Sequence, residues 1–495
     1  MNPYAFVPLG PAAPRKKINT HDKFTGFSGA LTCQLKTLTH FFIAGIQERA
    51  ERQQHQELIL LREGGKPVIP GSSLKGAIRH LAEAISGSCL ALPNTPRMRA
   101  KRGDRLEYYD YQKRSRDSYP LPDGFSPCGL EEPADPEKQA ACPACRIFGY
   151  LSRDVISLGN VSFETARIIG DYRTERIILE PFGSPGPRHK PFYATKESNF
   201  REPRGRKFYY HRIDGARTMA KKLDFNKTVE AILPGAVFEF SVQYQNLSET
   251  DLALLIFALS LEEPMRHKLG MGKGVGLGSV HLTVTAWETL DRQNRYRHFG
   301  GGAERLSGEA LQEAISRQIA AYHRHFASWK DSLAALKDIL TWDEKHPRNP
   351  RYPSNAWFKA NPGVALEDVP ADAAEYGRQS AGGSAPSHHT PKTYPATERH
   401  VSGDKKEADK LLKQLQKQQQ AEVPPAQTAY RDGDTEPKAI AHLAADGSWQ
   451  VVLPRLPGQP VRLKTKPRTN AAEGGRLRVR VVVGKDGRIT RADEI

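Results

Sequence analysis

From Phe24 onward hydrophobic and polar residues alternate, and Leu31, Cys33 and Leu35 stand two apart with polar neighbours between them. A period of two belongs to a strand with one buried face, so Cys33 is expected in the core as packing. A polar stretch from Gln47 to Gln56 gives way to Glu57-Leu58-Ile59-Leu60-Leu61, the turn Gly64-Gly65-Lys66-Pro67, and Val68-Ile69-Pro70. There the period changes. Leu74, Ile78, Leu81 and Ile85 recur at helical spacing. A helix starting at Gly71-Ser72-Ser73 would turn that stripe to the core and direct Lys75 and Arg79, one turn apart, elsewhere. Further strands are expected at Asn160–Ala166, Arg176–Leu179, Val237–Tyr244 and Val280–Val284, with a helix at Leu252–Leu261.

Other stretches carry no such period. Pro93 to Pro143 reads as a long insertion rich in arginine, tyrosine and proline, and regular structure resumes at Cys145-Arg146-Ile147-Phe148-Gly149. After Gly302 an alanine-rich, charged helical region runs from Glu304 to Leu340. From Glu367 to Asp434 small residues, proline and a glutamine-lysine run replace apolar periodicity, which reads as a linker with one short helix at Lys405–Gln419. In the tail, Trp449–Leu453 and Leu477–Val483 fit a small β-rich module whose alternating arginines leave one face basic. The expected organisation is an α+β core over 1–302 with an insertion near 93–143, a helical extension at 303–366, a flexible linker at 367–436 and a small β-rich module at 437–495.

At 495 residues the chain is long enough for a sizeable core plus appendages. Its 73 lysines and arginines exceed its 56 aspartates and glutamates for a net charge of +17. That excess favours a polyanionic partner, nucleic acid first. The N-terminus lacks the apolar run of a secretory signal, and eighteen uncharged apolar residues occur together nowhere, so a soluble cytoplasmic protein without a membrane partner is expected. Five cysteines in such a chain point to thiols or metal ligation rather than a disulfide framework.

Two motifs suggest phosphate chemistry. In Ile69–Arg79 small residues open a helix, so exposed amides, the positive dipole end and Lys75 would favour a phosphate. It is not a Walker A loop: Gly71 and Gly76 have the spacing, but Ala77 stands where lysine is required. The second is Gly270-Met271-Gly272-Lys273-Gly274-Val275-Gly276-Leu277-Gly278-Ser279. Its alternate glycines allow close approach of another backbone, and His267, Lys268 and Lys273 surround it with donors. It fails G-x-G-x-x-G, so no dinucleotide fold is implied. Arg204, Arg206, Lys207, Tyr209 and His211 mix cations with rings, a combination that suits single-stranded RNA. Arg97–Tyr111 mixes them in the same way. Cys142 and Cys145 have the spacing of tetrahedral zinc ligands, and Cys89 and Cys128 can complete four.

Taken in order, Ile69–Arg79, Cys142–Gly149 and Leu269–Ser279 resemble the RAMP superfamily of CRISPR-associated proteins, and Arg204–His211 with Asn246–Glu263 resemble a type III-associated subfamily. The resemblance implies a modified ferredoxin-like, RRM-like core and assembly beside related effector subunits along guide RNA paired with target RNA. It implies that Ser72, Ser73, Lys75 and Arg79 contact guide phosphates, that Gly270–Gly278 faces RNA, and that a structural zinc sits beside the Phe-Gly turn. Target-cutting relatives carry an aspartate after the first strand; here none stands between Gly45 and Pro70. A non-catalytic binding subunit is therefore expected. The alternatives are an endoribonuclease cutting target RNA or guide precursor, with Glu57 or His211 mattering most, and a scaffold acting through the helical extension and tail.

Overall fold

The computed structural model describes residues 1–45, 55–90, 97–98, 108–109, 122–129, 139–151, 156–181, 190–199, 202–223, 226–298, 302–376, 392–394, 435–443, 449–453, 460–463, 476–483 and 489–494. The expected helix at Lys405–Gln419 and most of the expected insertion lie outside them. The chain forms two compact units, Met1–Arg399 and His400–Ile495. In the first, the main elements are β1 (Tyr4–Val7), β2 (Phe27–Thr37), β3 (Lys66–Ile69), α1 (Gly71–Ala84), α2 (Pro143–Phe148), β4 (Val161–Phe163), β5 (Ala166–Ile169), β6 (Tyr172–Leu179), β7 (Arg206–Tyr209), β8 (Lys227–Ile232), β9 (Val237–Leu247), α3 (Glu249–Ser260), β10 (His267–Lys268), β11 (Ser279–Leu290), β12 (Ala303–Leu306), α4 (Gly308–His325) and α5 (Lys330–Leu340).

A mixed α+β architecture results. The central sheet runs β10–β11–β2–β9–β5–β3, with Arg62–Glu63 beyond β3, and every neighbouring pair is antiparallel. Its long strands alternate as a half-buried sheet should: Leu31, Cys33 and Leu35 of β2 and Phe238, Phe240 and Val242 of β9 are buried. In β11 the register shifts between Val284 and Ala286, so Val284 and Trp287, three apart, are both buried. The crossovers are interleaved. β2 leads through α1 to β4 and β5, both of which pair with β9, and β9 leads through α3 to β11, which pairs with β2.

α1, α3 and α4 pack against this sheet, through β4, β9 and β11. Leu252 through Leu259 of α3 are buried without interruption, as befits a helix surrounded by protein on every side. Ser248 caps it by accepting from the Asp251 amide. Tyr322 of α4 stacks on Phe257 with ring centroids 3.9 Å apart, and its hydroxyl donates to the Ile85 carbonyl at the end of α1. A second sheet pairs β6 with β8, flanked by Lys392–Tyr394 and Gln56–Leu58, while β1 pairs with β7.

Two expected elements are corrected. The strand expected at Asn160–Ala166 is divided into β4 and β5, and the region expected to be helical over Glu304–Leu340 contains β12, α4 and α5, interrupted at Ala327–Trp329. In the first case β9 is long enough to pair with both pieces; in the second, the β11 partner converts Ala303–Leu306 to a strand.

The second unit has its own sheet, made of β13 (Thr435–Leu443), β14 (Trp449–Val452), β15 (Pro460–Arg462), β16 (Arg476–Val483) and β17 (Ile489–Glu494). Ala439, Val451, Leu453, Val461, Leu463, Val479, Val481 and Ala492 form a core separate from that of the first unit. Among the described residues, no helix is long and apolar enough to cross a membrane.

Candidate nucleic-acid interface and metal centre

The residues of α1 divide into three stripes. Leu74, Ile78 and Leu81 enter the core, Ser73, Gly76, Ala77 and His80 line a cavity of about 600 Å³, and Lys75, Arg79 and Glu83 form the third. The cavity is closed by Lys207 and Tyr209 of β7 and by Lys268, Gly270, Met271 and Lys273 at the glycine-rich loop. Three lysines therefore meet in one space, and among the described residues no carboxylate lines it.

Each lysine is held by neutral groups. The Lys207 Nζ lies 3.6 Å from the centroid of the Tyr4 ring, the Lys268 Nζ donates to the Leu277 carbonyl at 2.9 Å, and the Lys273 Nζ donates to the Gly270 carbonyl at 2.8 Å. Burial disfavours a charge that lacks a counterion. It pulls Lys207 down to about 8, pulls Lys268, helped by the neighbouring Lys273, down to about 7, and lowers Lys273 as well. His80 stacks on Phe208 at 4.4 Å and shares a hydrogen bond with the Lys207 carbonyl at 3.0 Å, which fixes the strand that carries Lys207.

The glycine-rich loop is shaped by the chain's own backbone. Gly270 and Gly278 have φ of 85° and 80°, and a Cβ there would lie 2.6 Å from the Phe42 carbonyl oxygen and 2.0 Å from that of Leu269. Gly274 abuts Tyr352 and Gly276 abuts Gly215. Of the five glycines Gly270 lines the cavity, whereas Gly272, Gly274, Gly276 and Gly278 do not. The reading of the whole loop as a strip open to a foreign backbone is corrected accordingly: most of the close approaches are internal.

Other expected contacts also turn inward. Lys75 donates to the Val161 carbonyl at 3.2 Å. Arg79 binds Glu83, the Gly149 carbonyl and the Cys145 sulfur. Arg206, 8% exposed, binds the other Glu83 oxygen and the carbonyls of Ser88 and Cys89. Arg204 pairs with Glu367 and donates to the Pro191 carbonyl. His211 is buried between the Ser279 hydroxyl and the Arg266 carbonyl, and burial holds it well below the ordinary histidine value. His267 does line the cavity, but its ring is buried against the Ala258 carbonyl, and burial pulls it down to about 4. Ser72 is exposed at the helix start, outside the cavity lining.

The cysteines converge. The sulfurs of Cys89, Cys128, Cys142 and Cys145 all lie within 4.8 Å of one another, and all four residues are buried. Cys89 stands 3.6 Å from both Cys142 and Cys145, far beyond an S–S bond but close to the roughly 3.8 Å edge of a tetrahedron with metal–sulfur bonds of about 2.3 Å. Hydrogen bonds from its neighbours, Cys128 first, hold the Cys142 thiol well below its usual value, while contacts within the same cluster push Cys128 and Cys145 up, so one thiolate forms at the expense of the others. The four cysteines can hold a metal ion. Around them the Cys128 sulfur accepts from the Cys142 amide at 3.3 Å, and Arg146 makes a buried two-pronged ion pair with Asp251, at 2.6 and 3.0 Å, tying α2 to the start of α3.

A family model described as the RAMP superfamily matches residues 34–281, half of the chain. The chain belongs to the RAMP superfamily. The matched span begins within β2 and ends within β11, so it holds α1, the Cys142–Cys145 turn and the glycine-rich loop of this RAMP protein. Membership supports a CRISPR-associated, RNA-binding role in general. No curated protein matches the chain.

Sequence reasoning missed two features of the RAMP unit. One is the ring cluster of Tyr4, Tyr193 and Tyr209 around the Lys207 ammonium, built from segments far apart in the chain. The other is a hairpin, Gly149–Leu151 against Ile156–Leu158, on which Leu151, Ile156 and Leu158 are more than 70% exposed. Its apolar residues look like core in one dimension; only the fold shows them facing outward.

Proposed function

We propose that this RAMP protein is a cytoplasmic, non-catalytic subunit of a type III-like CRISPR effector complex in antiviral defence. It would hold guide RNA by its sugar-phosphate backbone while base pairing reads the target RNA. One observation carries the reading: Lys207, Lys268 and Lys273 face a common cavity without a carboxylate among the described residues, beside the start of α1 and Gly270. A phosphate would supply the missing counter-charge. The interleaved crossovers, with β2 and β9 central and β11 and β5 outside them, support a modified ferredoxin-like, RRM-like core. Four thiol donors at tetrahedral separation suit zinc, which would neutralise the thiolates and hold the Cys89, Cys128 and α2 segments together. The exposed apolar hairpin suits a neighbouring subunit as partner.

Binding without cleavage is further supported by the groups that cutting would require. Glu57 is engaged by Lys222 and Arg176, the Lys222 hydrogen bond doing most to hold its carboxyl below the usual value, which weakens it as a base. His211 is enclosed. The test is anisotropy with single-stranded RNAs of scrambled sequence over a salt series. The variant Lys207→Ala/Lys268→Ala/Lys273→Ala should bind roughly 100-fold more weakly, with a log–log salt slope shallower by about 2. RNA should stay intact with and without divalent metal. An unchanged slope in the triple variant, or cut RNA, would overturn the proposal.

A further inference from the structure

The second unit has a topology that its sequence does not reveal. Its strands pair in the order β15–β14–β13–β16–β17, with antiparallel neighbours, and Leu463, just after β15, bridges Ala492 of β17 in parallel. The two sheet edges thus meet and the sheet closes. Counting strands from β13, the circuit reads first, second, third, fifth, fourth and back to the first, with third and fifth parallel. That circuit is the Greek-key barrel of oligonucleotide-binding OB folds. Every strand adds to its interior: Ala439 from β13, Val451 from β14, Val461 from β15, Val479 and Val481 from β16, and Ala492 from β17.

The outer surface complements this topology. Across β14 and β15, where such barrels seat a strand, Gln450 lies opposite Arg462, and Arg462 is exposed. Arg480 of β16 is exposed too, with Asp493 and Thr435 opposite it. Between Thr435 and Ile495 twelve lysines and arginines stand against six aspartates and glutamates. The segment lies beyond the span matched by the RAMP family.

We propose that this barrel is a second site for single-stranded RNA, separate from the lysine cavity, in which Arg462 contacts a backbone phosphate and Gln450 a sugar or base edge. A barrel alone does not fix a ligand. The exposed guanidinium on the third strand and the basic balance of the unit select a polyanion, and the remainder of the chain belongs to an RNA-binding family.

The experiment uses the full chain, a long unstructured RNA, and Arg462→Glu placed in both the wild-type and the Lys207/Lys268/Lys273 triple-alanine backgrounds. Arg462→Glu should weaken binding roughly tenfold in each and make the salt slope shallower by about 0.7, one phosphate on a single strand. Arg462→Gln should give a smaller change in the same direction, with the barrel's folding checked by circular dichroism. Photo-crosslinks should fall on peptides from β14 and β15. Unchanged affinity and slope for both variants would overturn the proposal, as would loss of a protein partner with RNA binding intact. Failure of the cavity variant alone would leave it standing, since the two sites are read separately.

Discussion

The lysine cavity and the cysteine cluster are served by two stripes of one helix and assembled on opposite charge logic. Ser73, Gly76, Ala77 and His80 of α1 look into the cavity, while Arg79, on the adjacent stripe, reaches the Cys145 sulfur. On the cavity side cations are gathered and held by rings and carbonyls, so their charge is left seeking an anion. On the cluster side four thiols are gathered at distances where only a cation lets all of them ionise together. The cluster is enclosed and supported by Arg79, Arg146 and Arg206, as a stabilising centre should be, whereas the cavity tolerates a charge imbalance that weakens the fold, as a binding site does. Under the proposed function, the difference would place stability in one and affinity in the other.

The largest effect expected from that division is on the cluster. Cys142→Ser should reduce bound metal from about one ion per chain to near none and lower Tm by roughly 5 °C or more. Metal analysis and thermal unfolding of the purified variant check this together. A metal-free wild type, with Cys142→Ser melting like it, would remove the cluster's assigned role.

Next in size is the pH dependence of RNA binding. Lys268 at about 7 and Lys207 at about 8 are both charged in the free protein near pH 6, so binding there takes up no proton. Above pH 7 Lys268 enters neutral and must be protonated to pair with phosphate. Affinity then falls toward the level expected without that charge, roughly tenfold by pH 9 from Lys268, with Lys207 adding to the loss above pH 8. Anisotropy at fixed ionic strength from pH 6 to 9 reads it. A flat profile would show that the strand rests on exposed lysines and arginines instead.

How far these sites were legible beforehand depends on whether the signal was local. The stripe Leu74, Ile78 and Leu81 and the alternation in β2 are local, and both hold in the structure. The spacing of Cys142 and Cys145 is local as well, but Cys89 and Cys128 reach them only because the end of α1 and the segment after Phe125 fold against α2. Arg206 and Lys207 show where such reading stops. They are adjacent and equally basic, yet a strand sends neighbouring side chains to opposite faces. Arg206 goes inward to Glu83 and the Cys89 carbonyl, Lys207 to the cavity, and which goes where is set by pairing with β1 near the N-terminus. The glycines misled for a related reason: a side-chain-free strip announces a close approach without naming the backbone that approaches, and here it is largely the chain's own.

The smallest effect is the sharpest discriminator between the two regions. Lysine in an unfolded chain titrates near 10.4, whereas Lys268 titrates at about 7, so between those values the unfolded state holds a proton that the folded state has released. Stability contributed by this group therefore increases with pH across that window, and near pH 6 the fold carries the full penalty of a half-buried ammonium that lacks a counter-charge. Lys268→Met removes the penalty and the hydrogen bond to Leu277 with it. The melting temperature of the variant should rise by a few degrees at pH 6, and the gain should shrink toward pH 10, while RNA affinity at pH 6 falls roughly tenfold. A variant that melts lower at every pH would make Lys268 a structural residue like Arg206, and the contrast between an anion-seeking cavity and a cation-seeking cluster would no longer stand.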